Sequence, residues 1–150
     1  MTDRRIFQEI KEAGLNQDPT IQWGLKDPSD NKKWWASING PEGTPYHRFK
    51  LTLNITFPEN YPFSAPKVDF TTDIWHPNVG GSGNICLDIL KEKWTPALKL
   101  SAVLFSISSL LNEPYPASAL NSEAARQYIY NRDEYNQKVI ETCSRNFEKI

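Results

Sequence analysis

Apolar positions recur along this chain with two different periods, and the change of period divides it into parts. Ile6, Phe7, Ile10 and Ala13 fall on one stripe at helical spacing, which predicts a helix over 3–15 closed by Gly14. Over 49–57 the pattern switches: Leu51, Leu53, Ile55 and Phe57 alternate with Thr52, Asn54 and Thr56, the period of a half-buried strand. Strand-like runs at about 21–26, at 34–39 and near Lys67–Phe70 bring the number to four. Pro28-Ser29-Asp30-Asn31 and Gly40-Pro41-Glu42-Gly43 read as turns between the first three, and connections this short predict an antiparallel meander.

Between Thr71 and Leu100 neither period persists. The helical period returns at Ser101, a candidate N-cap, with Val103, Leu104, Ile107, Leu110 and Leu111 behind it and Phe105 widening the apolar surface. So apolar a helix is expected at the centre of the core, and Glu113-Pro114 ends it. After a loop over Pro114–Leu120, Asn121 opens a short helix with Ala124, Ala125 and Tyr128 inside. A last helix over 132–148 sets Tyr135, Val139, Cys143 and Phe147 four apart, which makes Cys143 a small core hydrophobe.

The order is a helix, a run of four strands, a long irregular loop, then a central helix and two C-terminal helices. That is an α+β domain, and 150 residues fit a single domain over 1–150. All eleven prolines lie between Pro19 and Pro116, so the last third is free to be helical.

Composition narrows the function classes. Seventeen basic against eighteen acidic side chains leave a net charge of −1, which speaks against a nucleic-acid-binding domain. No apolar run approaches the roughly 20 residues of a membrane span. Asp3, Arg4, Arg5 and Glu9 leave no room for a secretory signal in the first ten residues. Two cysteines, at 86 and 143, form neither a metal-ligand spacing nor a disulfide framework, and they fit a reduced compartment, cytoplasm or nucleus. A monomer is expected.

A structureless stretch as long as 71–100 is uncommon unless it is functional. It contains Trp75-His76-Pro77-Asn78-Val79-Gly80-Gly81-Ser82-Gly83-Asn84-Ile85-Cys86-Leu87-Asp88-Ile89-Leu90. Pro77 stiffens the entry and biases His76 away from the helical region. Gly80, Gly81 and Gly83 permit a tight turn. If Ile85–Ile89 runs extended, Cys86 and Asp88 share one face while Ile85, Leu87 and Ile89 anchor the other. A cysteine hydrolase would need a histidine base on Cys86 and a group orienting that base. His76 and Asn78 supply the residue types, but no separate base–orienter pair can be named, and a histidine before proline also suits bracing of the turn.

His76-Pro77-Asn78, followed eight residues after the asparagine by Cys86 and then Leu87-Asp88, resembles the active-site signature of ubiquitin-conjugating enzymes. The order of elements over essentially the whole chain is similar to that family's fold. The resemblance implies a carrier that accepts ubiquitin from the activating enzyme as a thioester on Cys86. It then passes the acyl group, with a RING- or HECT-type ligase, to a substrate lysine or a ligase cysteine. No metal or small cofactor is implied, since ATP is consumed by the activating enzyme upstream.

The same resemblance assigns roles. His76 and Pro77 are structural. Asn78 either donates to the oxyanion of the attacked thioester or holds the loop. Asp88 either positions an incoming lysine or caps a local helix. Ser118 falls at a gate where many relatives carry Asp; its hydroxyl would bring negative charge only if phosphorylated. Phe63, in Tyr61-Pro62-Phe63-Ser64-Ala65-Pro66, and Pro96-Ala97, after Trp94, correspond to the ligase-binding loops, the alternative for Phe63 being a core plug. Arg4 and Arg5 correspond to basic residues that meet the activating enzyme and ligases, against the simpler reading of a solvated face.

Two places depart from the family. Tyr46-His47-Arg48-Phe49 lacks a usual Gly-Gly, so its hairpin must turn otherwise. Trp23 and Gly24 stand near a position that often carries a serine contacting a second, non-covalent ubiquitin, which puts that contact in doubt. Asn131-Arg132-Asp133-Glu134-Tyr135 resembles the SUMO-conjugating member as much as ubiquitin carriers. Asp88, the uninterrupted Cys86–Trp94 spacing and the near-neutral charge favour ubiquitin. A catalytically inactive scaffold of the same fold would need none of Cys86, Asn78 and Asp88.

Overall fold

The alternation over 49–57 becomes the third strand of a four-stranded sheet. The computed structural model describes residues 2–145. In chain order it contains α1 (Thr2–Leu15), β1 (Ile21–Asp27), β2 (Asp30–Asn39), β3 (Lys50–Thr56), β4 (Lys67–Phe70), α2 (Leu100–Asn112), α3 (Ser122–Tyr130) and α4 (Arg132–Ser144). Short 3₁₀ turns stand at Asp88–Leu90 and Pro116–Ser118. The strands lie in the order β1-β2-β3-β4, each antiparallel to the next, so the expected meander forms.

Register follows from which face is apolar. Ala36 pairs with Leu53 and Leu53 with Phe70, while Ile38 pairs with both Ile21 and Leu51; these rows share one buried face. The core is completed by Val103, Leu104, Ile107 and Leu111 of α2 and by Tyr135, Val139 and Cys143 of α4. Asn121 and Asn131 cap α3 and α4, accepting from the backbone N–H of Ala124 and Glu134. Phe147, expected on the last helix, lies outside the described residues. No described helix is long and apolar enough to cross a membrane.

Several local expectations are corrected. Leu15, not Gly14, ends α1. Phe7 is 63% exposed and Phe105 67% exposed, because each stands about 100° round its helix from a buried neighbour, Ile6 and Leu104. The residue that shares the buried stripe with Ile6 is Glu9, 1% exposed. Ser101 does not cap α2, whose N-cap is Lys99 with no side-chain cap of its own.

Glu9 supplies what that helix end lacks. Its Oε2 accepts from the Leu100 backbone N–H at 2.9 Å and from the Tyr61 hydroxyl at 2.8 Å. Burial, then the Glu9 carboxylate, pushes the Tyr61 phenol pKa well up, so the phenol stays a donor. A carboxylate at a helix N-terminus also meets the positive end of the helix dipole. Arg5, one turn earlier, has a guanidinium nitrogen 3.9 Å from Glu9 and donates to the carbonyls of Pro96 and Leu98. One buried acid thus joins α1, the loop after β3 and the start of α2.

Glu9→Ala leaves two buried donors without a partner and is expected to destabilise the fold by roughly 3 kcal/mol. Glu9→Gln, which keeps an accepting oxygen, should lose less. Urea unfolding midpoints of the two variants and wild type, at constant slope, check both statements.

Candidate active site

The 71–100 stretch folds as short turns and one doubled-back run closed by its own backbone hydrogen bonds, and buried side chains tie it to other segments. The His76 ring sits at its centre, fully buried. Nδ1 accepts from the Asn78 backbone N–H at 2.9 Å, which leaves the proton on Nε2 to be donated to the Leu110 carbonyl at 2.8 Å. Burial pushes its pKa down to about 4, against the weaker opposite pull of the Leu110 carbonyl. Both nitrogens are engaged and neither bonds Cys86. His47, the other histidine, is exposed in the turn before β3.

Asn78 makes the second tie, with its side chain fully buried. Its Nδ2 donates to the carbonyls of Tyr115 (2.8 Å) and Ser118 (3.1 Å), and its Oδ1 accepts from the Tyr115 N–H (2.8 Å). Pro77 adds its carbonyl, which accepts from Leu120 and Asn121. The segment after α2 is thereby fastened to the His76–Asn78 backbone along its whole length. Both amide hydrogens of Asn78 are used here, so an oxyanion would have to displace one of these carbonyls. On the far side, the Tyr46 hydroxyl donates to the Trp75 carbonyl and accepts from Tyr135 at 2.7 Å.

From Val79 the chain doubles back, with Val79 bridging Ile85 and the Cys86 N–H donating to the Asn78 carbonyl at 2.9 Å. Of the three turn glycines only Gly83 has a positive φ (85°), and a Cβ there would lie 2.1 Å from the Phe70 carbonyl oxygen. Gly80 and Gly81 are not held in that region. The extended run also ends early. Leu87 is its last extended residue (φ −141°, ψ 123°), and a 3₁₀ turn begins at Asp88. Cys86 and Asp88 are therefore not on one strand face, but the turn still brings both to one groove.

That groove, about 570 Å³, is lined by Asn78, Cys86, Asp88, Leu110, Tyr115 and Ser118, with Lys91, Glu92 and Lys93 along it. Cys86 is half-buried and unpaired; Ser118 stands exposed on its 3₁₀ turn. Of the four charged residues along the groove, Asp88 and Lys93 pair, carboxylate to ammonium, at 3.4 Å. Among the described residues no imidazole is presented to the thiol. Sequence patterns gave no warning of Tyr115, because Asn78 binds it through backbone groups.

The expected partner loops are exposed. Phe63 is 59% exposed and so is no core plug, and Pro96 and Ala97 are exposed beside it in the sense that Trp94 Nε1 donates to the Pro62 carbonyl (2.9 Å), linking the two loops. Arg4 is exposed, but Arg5 is turned inward onto Pro96 and Leu98, which corrects its place on a free basic face. The turn without Gly-Gly is made by Arg48 at φ 78°, with Phe49 N–H on the Tyr46 carbonyl. Trp23 packs against the core, and Trp35 lies over Gly24, 3.2 Å from where a Cβ would stand. An indole therefore covers the sheet at Gly24.

The buried His76 makes stability fall with acid. Its folded pKa is about 4 against an ordinary 6.5, so the unfolded chain binds the extra proton between those values and stability is lost as pH drops through that window. Wild type is expected to lose about 2 kcal/mol more than His76→Gln between pH 7.5 and pH 5, read from urea titrations at each pH.

The family model described as ubiquitin-conjugating enzyme matches residues 5–143. A crystal structure of a Plasmodium yoelii protein, provisionally assigned as a ubiquitin conjugating enzyme, is 38% identical. The match covers 95% of this chain and 92% of that chain with a TM-score of 0.87. A family match over nearly the whole length, on a chain whose asparagine loop and single half-buried thiol meet in one groove, places this protein in the ubiquitin-conjugating enzyme family.

Proposed function

We propose that the protein carries ubiquitin as a thioester on Cys86 and passes it, with a ligase, to a substrate lysine or a ligase cysteine. The observation that carries this reading is a thiol in an open groove with, among the described residues, no imidazole beside it. A carrier must attack as a thiolate, yet its acyl product must outlast water. An adjacent imidazole would activate water as readily as the thiol; His76 is instead buried, neutral and committed to backbone groups.

The activating enzyme supplies the acyl group and consumes the ATP. Attack of Cys86 forms one C–S bond and breaks another; an acceptor lysine then replaces sulfur by nitrogen and Cys86 leaves as thiolate. Asp88 and Ser118 both line the groove that would receive that acceptor. Ser118 cannot take a proton or hold an ammonium as a carboxylate does, so Asp88 is the only one of the two that attracts a lysine. Asn78 serves first by fixing the Tyr115–Ser118 wall. Phe63, with Pro96 and Ala97, forms the surface for a RING- or HECT-type ligase, and Arg4 is the basic residue of α1 left to meet the activating enzyme. Ubiquitin is favoured over a SUMO-like modifier by Asp88, by the Cys86–Trp94 spacing and by the near-neutral charge. Cytoplasm or nucleus is the proposed compartment, in keeping with two free cysteines.

Incubation with activating enzyme, ubiquitin and ATP is expected to give a reductant-sensitive adduct that Cys86→Ala abolishes on a non-reducing gel. Absence of any adduct in the wild type would overturn the reading, and rapid release of free modifier would point to a hydrolase. In single-turnover discharge onto free lysine, Ser118→Asp should be faster than wild type; equal rates would remove the gate from the account.

A further inference from the structure

Two segments of different character line the Cys86 groove. The first contributes Asp88, Lys91, Glu92 and Lys93, two acids against two bases, so its charges cancel. Asp88 is already paired with Lys93 at 3.4 Å, in an exposed and therefore weak contact. The second contributes Tyr115 and Ser118, next to Leu110 at the end of α2. Residues 114–122, which include that tyrosine and serine, carry no charged side chain at all. A positively charged acceptor therefore gains little from the sum of charges along the groove, and the uncharged wall is what remains to hold it.

Tyr115 is the one aromatic residue of that wall, and it is 64% exposed. Its backbone, in contrast, is clamped. The N–H donates to Asn78 Oδ1 at 2.8 Å, and the carbonyl accepts from Asn78 Nδ2 at 2.8 Å and from the Ser118 N–H at 3.1 Å. A tyrosine on a fixed backbone offers a large rigid contact and loses little freedom when it is covered. Its ring face suits both parts of a lysine: the aliphatic stem lies along apolar surface, and the π-electrons attract the ammonium. Leu120, 43% exposed, adds a second open apolar side chain to the same uncharged segment and is held by its N–H to the Pro77 carbonyl at 2.8 Å.

We propose that Tyr115 determines acceptor specificity: its ring receives the stem of the acceptor lysine, and the wall it belongs to selects lysines that have a large apolar residue two positions away. The proposal rests on the carrier reading given above. The spacing follows from strand geometry, because in an extended acceptor the side chains at i and i±2 share one face, roughly 7 Å apart. Both can then meet the uncharged wall while the amine reaches the thioester. Tyr115 moves no proton and forms no bond; the transfer is the one already described, with sulfur replaced by nitrogen at the acyl carbon.

The test loads the full chain with activating enzyme, ubiquitin and ATP, removes ATP, and follows single-turnover discharge on non-reducing gels. The acceptors are two peptides of equal length with one lysine each, flanked at both second positions by leucine or by serine. Rates are taken relative to hydroxylamine, an amine with no stem. The wild type is expected to favour the leucine peptide by about fivefold, the scale of one aromatic contact at an open site. Tyr115→Ala should bring that ratio close to one, and Tyr115→Phe should keep it. Because Asn78 binds only backbone atoms of residue 115, the alanine variant retains the clamp. Equal wild-type rates for the two peptides would overturn the proposal and leave the carrier reading intact. So would a ratio that survives Tyr115→Ala, including the case in which both peptides and hydroxylamine slow alike, the mark of a merely structural side chain. Failure of the wild type to form a thioester would overturn both.

Discussion

The Asn78 amide crosses between two backbone segments that share no secondary structure, and the shape of the groove depends on it. Three hydrogen bonds, all to backbone atoms of Tyr115 and Ser118, fix the wall opposite Cys86. Because Asn78 is wholly buried, these bonds act in a low-dielectric site where an unpaired polar atom is costly. The wall therefore has one favoured position. His76 does the same at the other end of the tripeptide, bonding Asn78 and Leu110 so that the end of α2, the asparagine and the thiol are held in one frame.

Glu9 plays a corresponding part at the opposite end of α2. It joins Tyr61 and Leu100, while its helical neighbour Arg5 holds the carbonyls of Pro96 and Leu98. The loops that carry Phe63 and Pro96 are thus anchored by α1, the same helix that exposes Arg4. Any partner that moved α1 would act on those loops through Arg5 and Glu9. Asn78 and Glu9 have a common logic: each is a buried polar side chain that replaces missing regular structure by satisfying loop and helix-end backbone groups.

The chemistry follows as much from restraint as from placement. In the proposed carrier role, a thiol that holds an acyl group in water gains nothing from a neighbouring imidazole, and burial keeps His76 neutral and occupied. The groove holds the exposed Asp88 carboxylate, already paired with Lys93, together with Glu92 and Ser118.

The sequence by itself determined the elements and their order. Alternation in β3, the apolar surface of α2 and the cap Asn121 each act within a few residues, so periodicity and local chemistry reveal them. The motif around Cys86 was legible for the same reason, as a run of neighbours. What only the tertiary structure decided are the partners of polar side chains. Glu9 reaches Leu100 across 91 positions and Asn78 reaches Tyr115 across 37. No local pattern records such a bond, because the atom that receives it belongs to the backbone and is alike in every residue. Phe7 and Phe105 are exposed because neighbouring elements left their side of the helix uncovered, and Asp88 turned out of line because a 3₁₀ turn replaced a strand. Periodicity tells which side chains seek burial; packing and hydrogen-bond closure tell which ones find it.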